Sequence, residues 1–199
     1  MKTISIIFAL AAVSFIQSQS SGAADAAARP YKLPVCAVSL EPYGGEHGKP
    51  RVFTHEGREI KTCCEDCQKK FTANPAKFLK QIDDAEAKLK EKARATKNVE
   101  VAAFEKLISE PGAVVLDVRT PREFAAGHIA GAVNIDVNDP EFGQKVTKLD
   151  KSKTYLVHCA AGVRSAKACE QLAYFDFPKL YNLEPGFKAW EKAGKKVER

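Results

Sequence analysis

The sequence lacks several features that would decide its class at once. It has no apolar run of the roughly 20 residues that a membrane-spanning helix needs, because the longest run, Ile4 to Ile16, contains two serines and is followed by polar residues. It has no strong excess of one charge, since 31 Lys and Arg stand against 25 Asp and Glu. With 45% hydrophobic residues it also lacks a disordered composition. These absences argue against an integral membrane protein and favour a globular one.

The net charge of +6 is spread along the chain and does not form a basic stripe of the kind that binds nucleic acid. The lysine-rich segment from Lys88 to Arg94 is interleaved with Glu86 and Glu91 at helical spacing. Such pairs are typical of an exposed helix face. We therefore expect no nucleic-acid partner.

The N-terminus has the pattern of an export signal. Lys2 precedes the apolar run, a polar segment follows it, and Ala24-Asp25-Ala26 supplies the small residues that a signal peptidase accepts. We predict a signal peptide at residues 1–26, a periplasmic or secreted protein, and no membrane span after cleavage. An uncleaved helical anchor is the alternative. Export would place all six cysteines in an oxidising compartment.

Two segments of different pattern follow the leader. A turn-rich stretch leads into a hairpin, with strands predicted at 52–54 and 59–61, and a helix is predicted from Asn74-Pro75 to about Ala95. From Asn98 onward, strands and helices alternate. Strands are predicted at 99–101, 113–118, 154–158 and 179–183, and helices at 102–109, 165–173 and 187–193. This pattern predicts an α/β fold with a parallel sheet flanked by helices, preceded by a small cysteine-rich α+β domain.

The most informative segment surrounds Cys159, which lies just after a buried strand and just before a helix. Backbone amides converge there, and the helix dipole favours an anion. The small residues Ala160, Ala161 and Gly162 let the loop curl into an anion-binding nest, and Arg164 adds a positive charge. These features lower a thiol pKa, and the thiolate is the reactive nucleophile.

Residues 98–199 resemble a rhodanese-like sulfurtransferase domain. The resemblance depends on the Cys159 loop and on Leu116-Asp117-Val118-Arg119, Glu123-Phe124, Gly127-His128-Ile129, Gly131-Ala132 and Asn134-Ile135. It implies that Cys159, with Arg164, carries a sulfane sulfur as a persulfide. It also implies that loop residues hold the persulfide, namely Ala160, Ala161, Gly162, Val163 and Ser165. The implied donor is a small sulfur compound such as thiosulfate, the acceptor is a thiol or cyanide, and catalysis needs no cofactor.

The sequence departs from the family pattern at two positions. Pro185-Gly186 follows the last predicted strand where the family often has two glycines, which changes a turn and not the chemistry. Ala160 stands where many members that use thiosulfate have Arg. The second departure bears on the identity of the sulfur donor.

Phosphatases with a nucleophilic cysteine resemble the same segment, but their loop has five residues between Cys and Arg. Here only four residues separate Cys159 from Arg164. The shorter loop encloses a smaller volume, which suits a sulfur atom better than a tetrahedral phosphate. Phosphatase or arsenate chemistry is therefore the lesser alternative.

Five other chemically active residues have structural interpretations. We expect Asp117 and Arg119 to form a bracing ion pair and His128 to be a hydrogen-bonded turn residue. Strand alternation should point the side chain of His158 away from that of Cys159. Cys169, inside the following helix, is expected to fill the core.

A second cysteine group lies near the N-terminus and comprises Cys36, Cys63, Cys64 and Cys67. Cys67 lies four residues after Cys63 and three after Cys64, so at least two of these thiolates should converge on a helical turn, and soft thiolates select zinc or copper(I). The segment 34–82 resembles the small YHS or TRASH-like domains, which implies heavy-metal binding or sensing. His47 and His55 are further candidate ligands. A disulfide between Cys36 and one of the later three is the alternative.

The complete prediction is a signal peptide at 1–26, a YHS/TRASH-like domain at 27–82, a helical linker at 83–97 and a rhodanese-like domain at 98–199. The predicted function is sulfur transfer through a Cys159 persulfide, coupled to a metal-binding module. The alternative is a non-enzymatic protein that senses or binds metal or redox state.

Overall fold

The computed structural model describes residues 28–45 and 49–199. The predicted leader and His47 lie outside the described residues. In chain order the elements are β1 (Arg51–His55), β2 (Arg58–Thr62), α1 (Glu65–Ala73), α2 (Pro75–Ala93), β3 (Lys97–Val99), α3 (Val101–Ile108), β4 (Ala113–Asp117), α4 (Pro121–Ala126), β5 (His128–Ile129), β6 (Val133–Asn134), α5 (Phe142–Val146), β7 (Thr154–His158), α6 (Val163–Tyr174), β8 (Leu180–Leu183), α7 (Gly186–Lys192) and β9 (Val197–Glu198).

A five-stranded sheet forms the centre of the C-terminal half. The strands lie in the order β3-β8-β7-β4-β6, and every neighbouring pair is parallel. The central strands β4 and β7 pair over their full length, with Asp117 opposite His158 at their carboxyl ends. Two short strands, β5 and β9, form a separate antiparallel pair. The predicted parallel α/β architecture is thus confirmed.

Apolar side chains project from both faces of this sheet. Alternate residues of a strand point to opposite faces, so Val115 and Leu156 enter a cluster with Phe104 of α3, and α7 packs on the same face. Leu116 and Val157 enter the opposite cluster, which also contains buried residues of α6. The run of apolar residues in β4 and β7 is therefore explained by burial on both sides.

The N-terminal segment is built around the hairpin of β1 and β2. Glu56 and Gly57 connect the strands, and both have positive φ, 47° and 71°, as a two-residue hairpin turn of the primed type requires. The chain that precedes the hairpin lies beside it, since the amide of Ala37 donates to the carbonyl of Lys61 over 2.9 Å. Cys36 is thereby placed next to the end of β2, where the other three N-terminal cysteines follow.

Helix α2 joins the two parts of the molecule and is packed along its length. Asn74 caps its start by accepting a hydrogen bond from the amide of Lys77, and Pro75 occupies the first turn. Its buried residues, among them Ile82 and Leu89, belong to the same apolar cluster as residues of α6. The segment predicted as a linker, 83–97, is thus mostly the second half of a helix that shares a core with the α/β domain.

Several predicted elements differ from the structure in detail. The strand predicted at 99–101 lies at 97–99, and α3 begins at Val101 because the amide of Phe104 bonds to the carbonyl of Glu100. Helix α6 begins two residues before the predicted Ser165. Helices α4 and α5 and the strands β5, β6 and β9 were not predicted, because each has at most six residues. Helix α1, which has nine residues, was predicted only as a helical turn that carries the cysteines.

None of the helices found in residues 28–45 and 49–199 combines the length and the apolar character that crossing a bilayer requires.

Candidate functional site

Two glycines shape the loop that carries Cys159. Gly162 has φ of +83°, and a Cβ there would lie 1.9 Å from the carbonyl oxygen of Glu184. Gly186 has φ of +69°, and a Cβ there would lie 2.5 Å from the amide nitrogen of Ala161. Because only glycine tolerates both the left-handed conformation and the close approach, these residues let the loops after β7 and β8 lie against each other.

The thiol of Cys159 lies at the bottom of this loop and is 1% exposed. Burial by itself raises its pKa, but hydrogen bonds from the loop outweigh burial, and the pKa falls below that of an ordinary thiol. The hydroxyl of Ser165 is 3.4 Å from the sulfur. The donors are this hydroxyl and the backbone amides of Ala161, Arg164 and Ser165. A ring of neutral dipoles therefore stabilises the thiolate.

The side chain of Arg164 has a different partner. Its guanidinium makes two hydrogen bonds to the carboxylate of Glu123, of 2.8 Å and 2.7 Å. The hydrogen bond from Arg164 lowers the pKa of Glu123 to about 2. Glu123 also closes the capping box of α4 with Thr120. Arg164 thus contributes its backbone amide to the thiolate, while its side chain ties the loop to α4.

Buried polar and aromatic residues support the loop from behind. The amide of Phe187 donates to the carbonyl of Cys159 over 2.7 Å, and its ring lies between Arg119, at 4.1 Å, and His158, at 5.8 Å. Arg119 forms the expected ion pair with Asp117, with a shortest distance of 2.6 Å. Burial lowers the pKa of His158 to about 4, so its ring is neutral at pH 7.

The other candidate residues lie as follows. Nδ1 of His128 is 3.0 Å from the carbonyl oxygen of Phe124, as expected of a turn histidine. Cys169 is fully buried in α6, and burial raises its pKa. Among the predicted persulfide-binding residues, Gly162 and Ser165 are buried, Ala160 is half-buried, Ala161 is exposed, and Val163 is 79% exposed.

The structure also brings three N-terminal cysteines together. The sulfur atoms of Cys36, Cys63 and Cys67 lie within 4.8 Å of one another, and all three residues are buried. The sulfurs of Cys63 and Cys67 are 3.5 Å apart. The phenol groups of Tyr31 and Tyr43 both donate to the carbonyl of Val35, which fixes the backbone just before Cys36.

Cys64 lies at the edge of this group and not within it. Its sulfur is 3.8 Å from that of Cys63, and it caps α1 by accepting a hydrogen bond from the amide of Cys67 over 3.4 Å. His55 packs edge-on against the ring of Phe71, at 5.4 Å, and is not part of the thiol group. The predicted four-cysteine set therefore divides into three converging thiols and one helix cap.

The three-thiol group fits a soft metal ion. Thiolates bound at about 2.3 Å to one ion lie roughly 3.8–4.0 Å from one another. This spacing falls between the 3.5 Å that separates the sulfurs of Cys63 and Cys67 and the 4.8 Å within which all three sulfurs lie. Burial raises the pKa of Cys63 to about 11, so an unbound thiol there stays protonated at neutral pH. All six cysteines lie in described residues, and all six are free thiols in the structure. The donor set suits zinc or copper(I).

Two supporting residues had only weak sequence signals. Phe187, which donates to Cys159, lies 28 positions later in the chain and had been assigned only to a helix start. Gly186 was noted as a turn residue, and its contact with the cysteine loop was not foreseen. The Pro185-Gly186 pair, two residues after the end of β8, is the signal that could have indicated a close approach.

Comparisons with known proteins agree on the C-terminal half. The model of the rhodanese-like domain family matches residues 100–193. The thiosulfate sulfurtransferase 16 of Arabidopsis thaliana chloroplasts is 32% identical over 114 residues, which cover 52% of this chain and 94% of that protein. The uncharacterized protein YqhL of Bacillus subtilis is 37% identical over 78 residues, and the match covers 39% of this chain and 60% of that protein.

The chain is also similar to a solved structure, the crystal structure of a rhodanese-related protein from Thermoplasma volcanium. It is 33% identical, with a TM-score of 0.46, and the match covers 51% of this chain and 97% of that one. The cysteine-rich segment 28–99 lies outside the family match.

Proposed function

The chain belongs to the rhodanese-like family, and we propose that its C-terminal domain transfers a sulfane sulfur through a persulfide on Cys159. One observation carries the proposal: the Cys159 sulfur lies at the bottom of a loop whose amides and Ser165 hydroxyl lower its pKa. A thiolate in such a ring of donors is a nucleophile, and the same donors can hold the terminal sulfur of a persulfide.

The first half-reaction loads the sulfur. The Cys159 thiolate attacks the outer sulfur of a donor such as thiosulfate, the new S–S bond forms, and the old S–S bond breaks. Sulfite then leaves with the electron pair of the broken bond. The loop amides stabilise the single negative charge on the persulfide.

The second half-reaction unloads it. An acceptor nucleophile, a thiol or cyanide, attacks the outer sulfur of the persulfide. The S–S bond breaks, its electron pair returns to Cys159 as a thiolate, and the acceptor leaves as a persulfide or as thiocyanate. No metal or organic cofactor takes part in either half-reaction.

The loop geometry favours sulfur transfer over phosphate chemistry. Only four residues separate Cys159 from Arg164, and their loop is held tightly by the contacts of Gly162 with Glu184 and of Gly186 with Ala161. The side chain of Arg164, which a phosphate would need, is paired with Glu123.

Mass measurement of the purified chain after incubation with a sulfane-sulfur donor tests the proposal. We expect one added sulfur on Cys159, removed by cyanide with release of thiocyanate. Addition at another cysteine, or no addition from any donor, would refute it. Turnover of a phosphorylated substrate with no sulfur loading would favour the phosphatase alternative.

For the N-terminal segment we propose a soft-metal site formed by Cys36, Cys63 and Cys67. The supporting observation is the convergence of three buried sulfurs within 4.8 Å. Hydrogen bonds already lower the pKa of Cys36, and a bound ion would supply the positive charge that lets Cys63 and Cys67 ionise against the effect of burial. Metal analysis of protein purified under reducing conditions tests this. One equivalent of zinc or copper is expected, whereas no metal together with a disulfide would support a redox function instead.

We further propose that the mature chain acts in the periplasm or outside the cell. The support is the charged, apolar and small-residue sequence of positions 1–26. N-terminal sequencing of the protein from fractionated cells tests the proposal. A mature N-terminus near Ala27 in the exported fraction is expected, and an intact Met1 in the cytosolic fraction would contradict it.

A further inference from the structure

The rim of the Cys159 loop carries little positive charge that a ligand could use. Three of its side chains are apolar, those of Ala160, Ala161 and Val163. The only charged side chain of the loop, Arg164, has both of its terminal nitrogens bonded to the carboxylate of Glu123. Hydrogen bonding to Glu123 is the main reason why the pKa of Arg164 is raised, and the charges of Glu123, Cys159 and Asp136 add to it. The carboxylate of Glu123 thus holds the guanidinium directly.

Two further cations adjoin the site in sequence. Arg122 precedes Glu123, and Lys188 follows Phe187. Both side chains are exposed to water, where a charge acts much more weakly than in the loop. The fixed environment of the sulfur therefore consists of neutral amide and hydroxyl dipoles together with a guanidinium already neutralised by its partner.

This environment suits a donor with one charge or none. Thiosulfate brings two negative charges toward a thiolate, and sulfite leaves with two. A persulfide has at most one negative charge on its sulfur atoms, reacts here in its protonated form R–S–SH, and leaves as a thiolate with one. Neutral dipoles stabilise a single charge well, whereas a dianion next to a thiolate needs a positive charge that is not already paired.

The organic group R of a persulfide R–S–SH can contact an apolar side chain at the rim of the loop. Val163 stands at the rim and is 79% exposed, more than any other large apolar side chain in the described parts of the chain. It adjoins Gly162, whose carbonyl lies 2.9 Å from the Ser165 hydroxyl inside the loop. An apolar group attached to the donor sulfur can cover Val163 while the sulfur enters the loop.

We propose that Cys159 takes its sulfur from the persulfide of a small thiol in preference to thiosulfate, and that Ala160 and the Arg164–Glu123 pair set this preference. The Cys159 thiolate attacks the terminal sulfur of R–S–SH and forms Cys159–S–SH. The bond between the two donor sulfurs breaks, and R–S⁻ leaves with its electron pair. This inference rests on the sulfurtransferase function proposed above and names its donor.

The test compares the rates at which cysteine persulfide and thiosulfate load sulfur onto Cys159 in the full chain, followed by mass in a single turnover. We expect cysteine persulfide to load at least ~10-fold faster, the effect of a modest charge difference near the sulfur. Equal or faster loading from thiosulfate would overturn the inference and leave the proposed function standing. Loading from neither donor would refute the function itself.

Variants at the rim test whether Ala160 and the Arg164–Glu123 pair set the preference for a persulfide over thiosulfate. Ala160→Arg should raise the thiosulfate rate by about 10-fold relative to cysteine persulfide, while Ala160→Gln, of similar size but uncharged, should not. Glu123→Gln, which releases Arg164, is a second route to the same shift if Ala160→Arg does not fold. Lys188→Gln should change the ratio of the two rates less than ~2-fold. The assignment would be contradicted if neither Ala160→Arg nor Glu123→Gln changed the ratio of the thiosulfate rate to the cysteine persulfide rate. A strong fall of this ratio in Lys188→Gln would contradict it as well.

Discussion

The two groups of buried thiols in this protein have different neighbours and therefore different chemistry. Around Cys159 the neighbours are backbone amides and a hydroxyl, which outweigh burial and lower the pKa. Burial is the largest influence on the Cys63 thiol and raises its pKa to about 11. The sulfur atoms of Cys64 and Cys67 lie beside it. Hydrogen bonds from amides thus favour the Cys159 thiolate, whereas burial keeps Cys63 and Cys67 protonated unless a cation binds beside them. Burial alone thus does not decide what a cysteine does.

The strongest test exchanges one sulfur for oxygen in each group. Cys159→Ser should abolish sulfur loading and leave metal content unchanged, since a serine hydroxyl does not ionise at neutral pH. Cys63→Ser should leave sulfur loading intact and weaken metal binding by more than the ~10–100-fold that loss of an outer-shell contact costs. Mass spectrometry and competition with a chelator measure the two properties.

Cys64→Ser is the matched control for both variants, because Cys64 adjoins the thiol group but caps α1. A hydroxyl is also a good cap, so helix α1 should be kept. We expect this variant to keep one equivalent of metal and full sulfur loading. If Cys64→Ser lost metal as completely as Cys63→Ser, the three-thiol site would have to be redrawn with four ligands.

A smaller effect is expected from substitutions of glycines that have positive φ. Gly186→Ala should destabilise the fold by about 2–5 kcal/mol, the sum of a left-handed conformation and a clash of the new Cβ with Ala161. Gly194→Ala has nearly the same φ, +67°, and no atom within 4 Å of the new Cβ, so it should cost only about 1–2 kcal/mol. Urea unfolding of both variants measures the difference.

The same pair of variants separates the loop from the thiol group. Slower sulfur loading in Gly186→Ala, per folded molecule, with metal content unchanged, is expected because the clash displaces the amides that face Cys159. Equal loss of stability in the two glycine variants would show that the loops are looser than the contact between Gly186 and Ala161 indicates.

An effect that appears only at acid pH concerns the support behind the loop. The pKa of His158 is about 4 in the folded state because of burial, and about 6.5 in an unfolded chain. Between these values the unfolded chain binds more protons, so stability is full above pH 6.5 and falls toward pH 4, by about 3 kcal/mol at most. His158→Phe keeps an aromatic ring beside Phe187 and should remove this part of the pH dependence. Urea midpoints at pH 7 and pH 4.5 test this prediction. The same change of midpoint between the two pH values in the variant and in the unmodified protein would contradict it.

Much of the α/β half could be predicted from local patterns. The apolar runs of β4 and β7, the Asn74-Pro75 start of α2 and the position of Cys159 between strand and helix are short-range features, and the structure confirms each. The Asp117–Arg119 pair was also foreseen, because the two residues lie two positions apart. The short elements α4, α5, β5, β6 and β9 were missed, since few residues carry their signal.

Features of the site that depend on distant residues could not be predicted. Arg164 was expected to face the nucleophile, yet it pairs with Glu123, 41 positions earlier in the chain. The cysteines at 63, 64 and 67 have a spacing that predicts convergence, but the spacing does not tell which of them turns inward. That choice follows from the start of α1, where Cys64 is used as a cap and Cys36 arrives from the preceding loop.

The sequence by itself determined the parallel α/β fold, the position of Cys159 between a strand and a helix, and the grouping of the N-terminal cysteines, because apolar periodicity and the order of strand, loop and helix are local properties of the chain. The tertiary structure alone decided that α2 shares a core with α6, that the charge of Arg164 is neutralised, and that three thiols and not four converge. Each of these is a contact between segments far apart in sequence, and such contacts exist only once the chain has packed its apolar surfaces together.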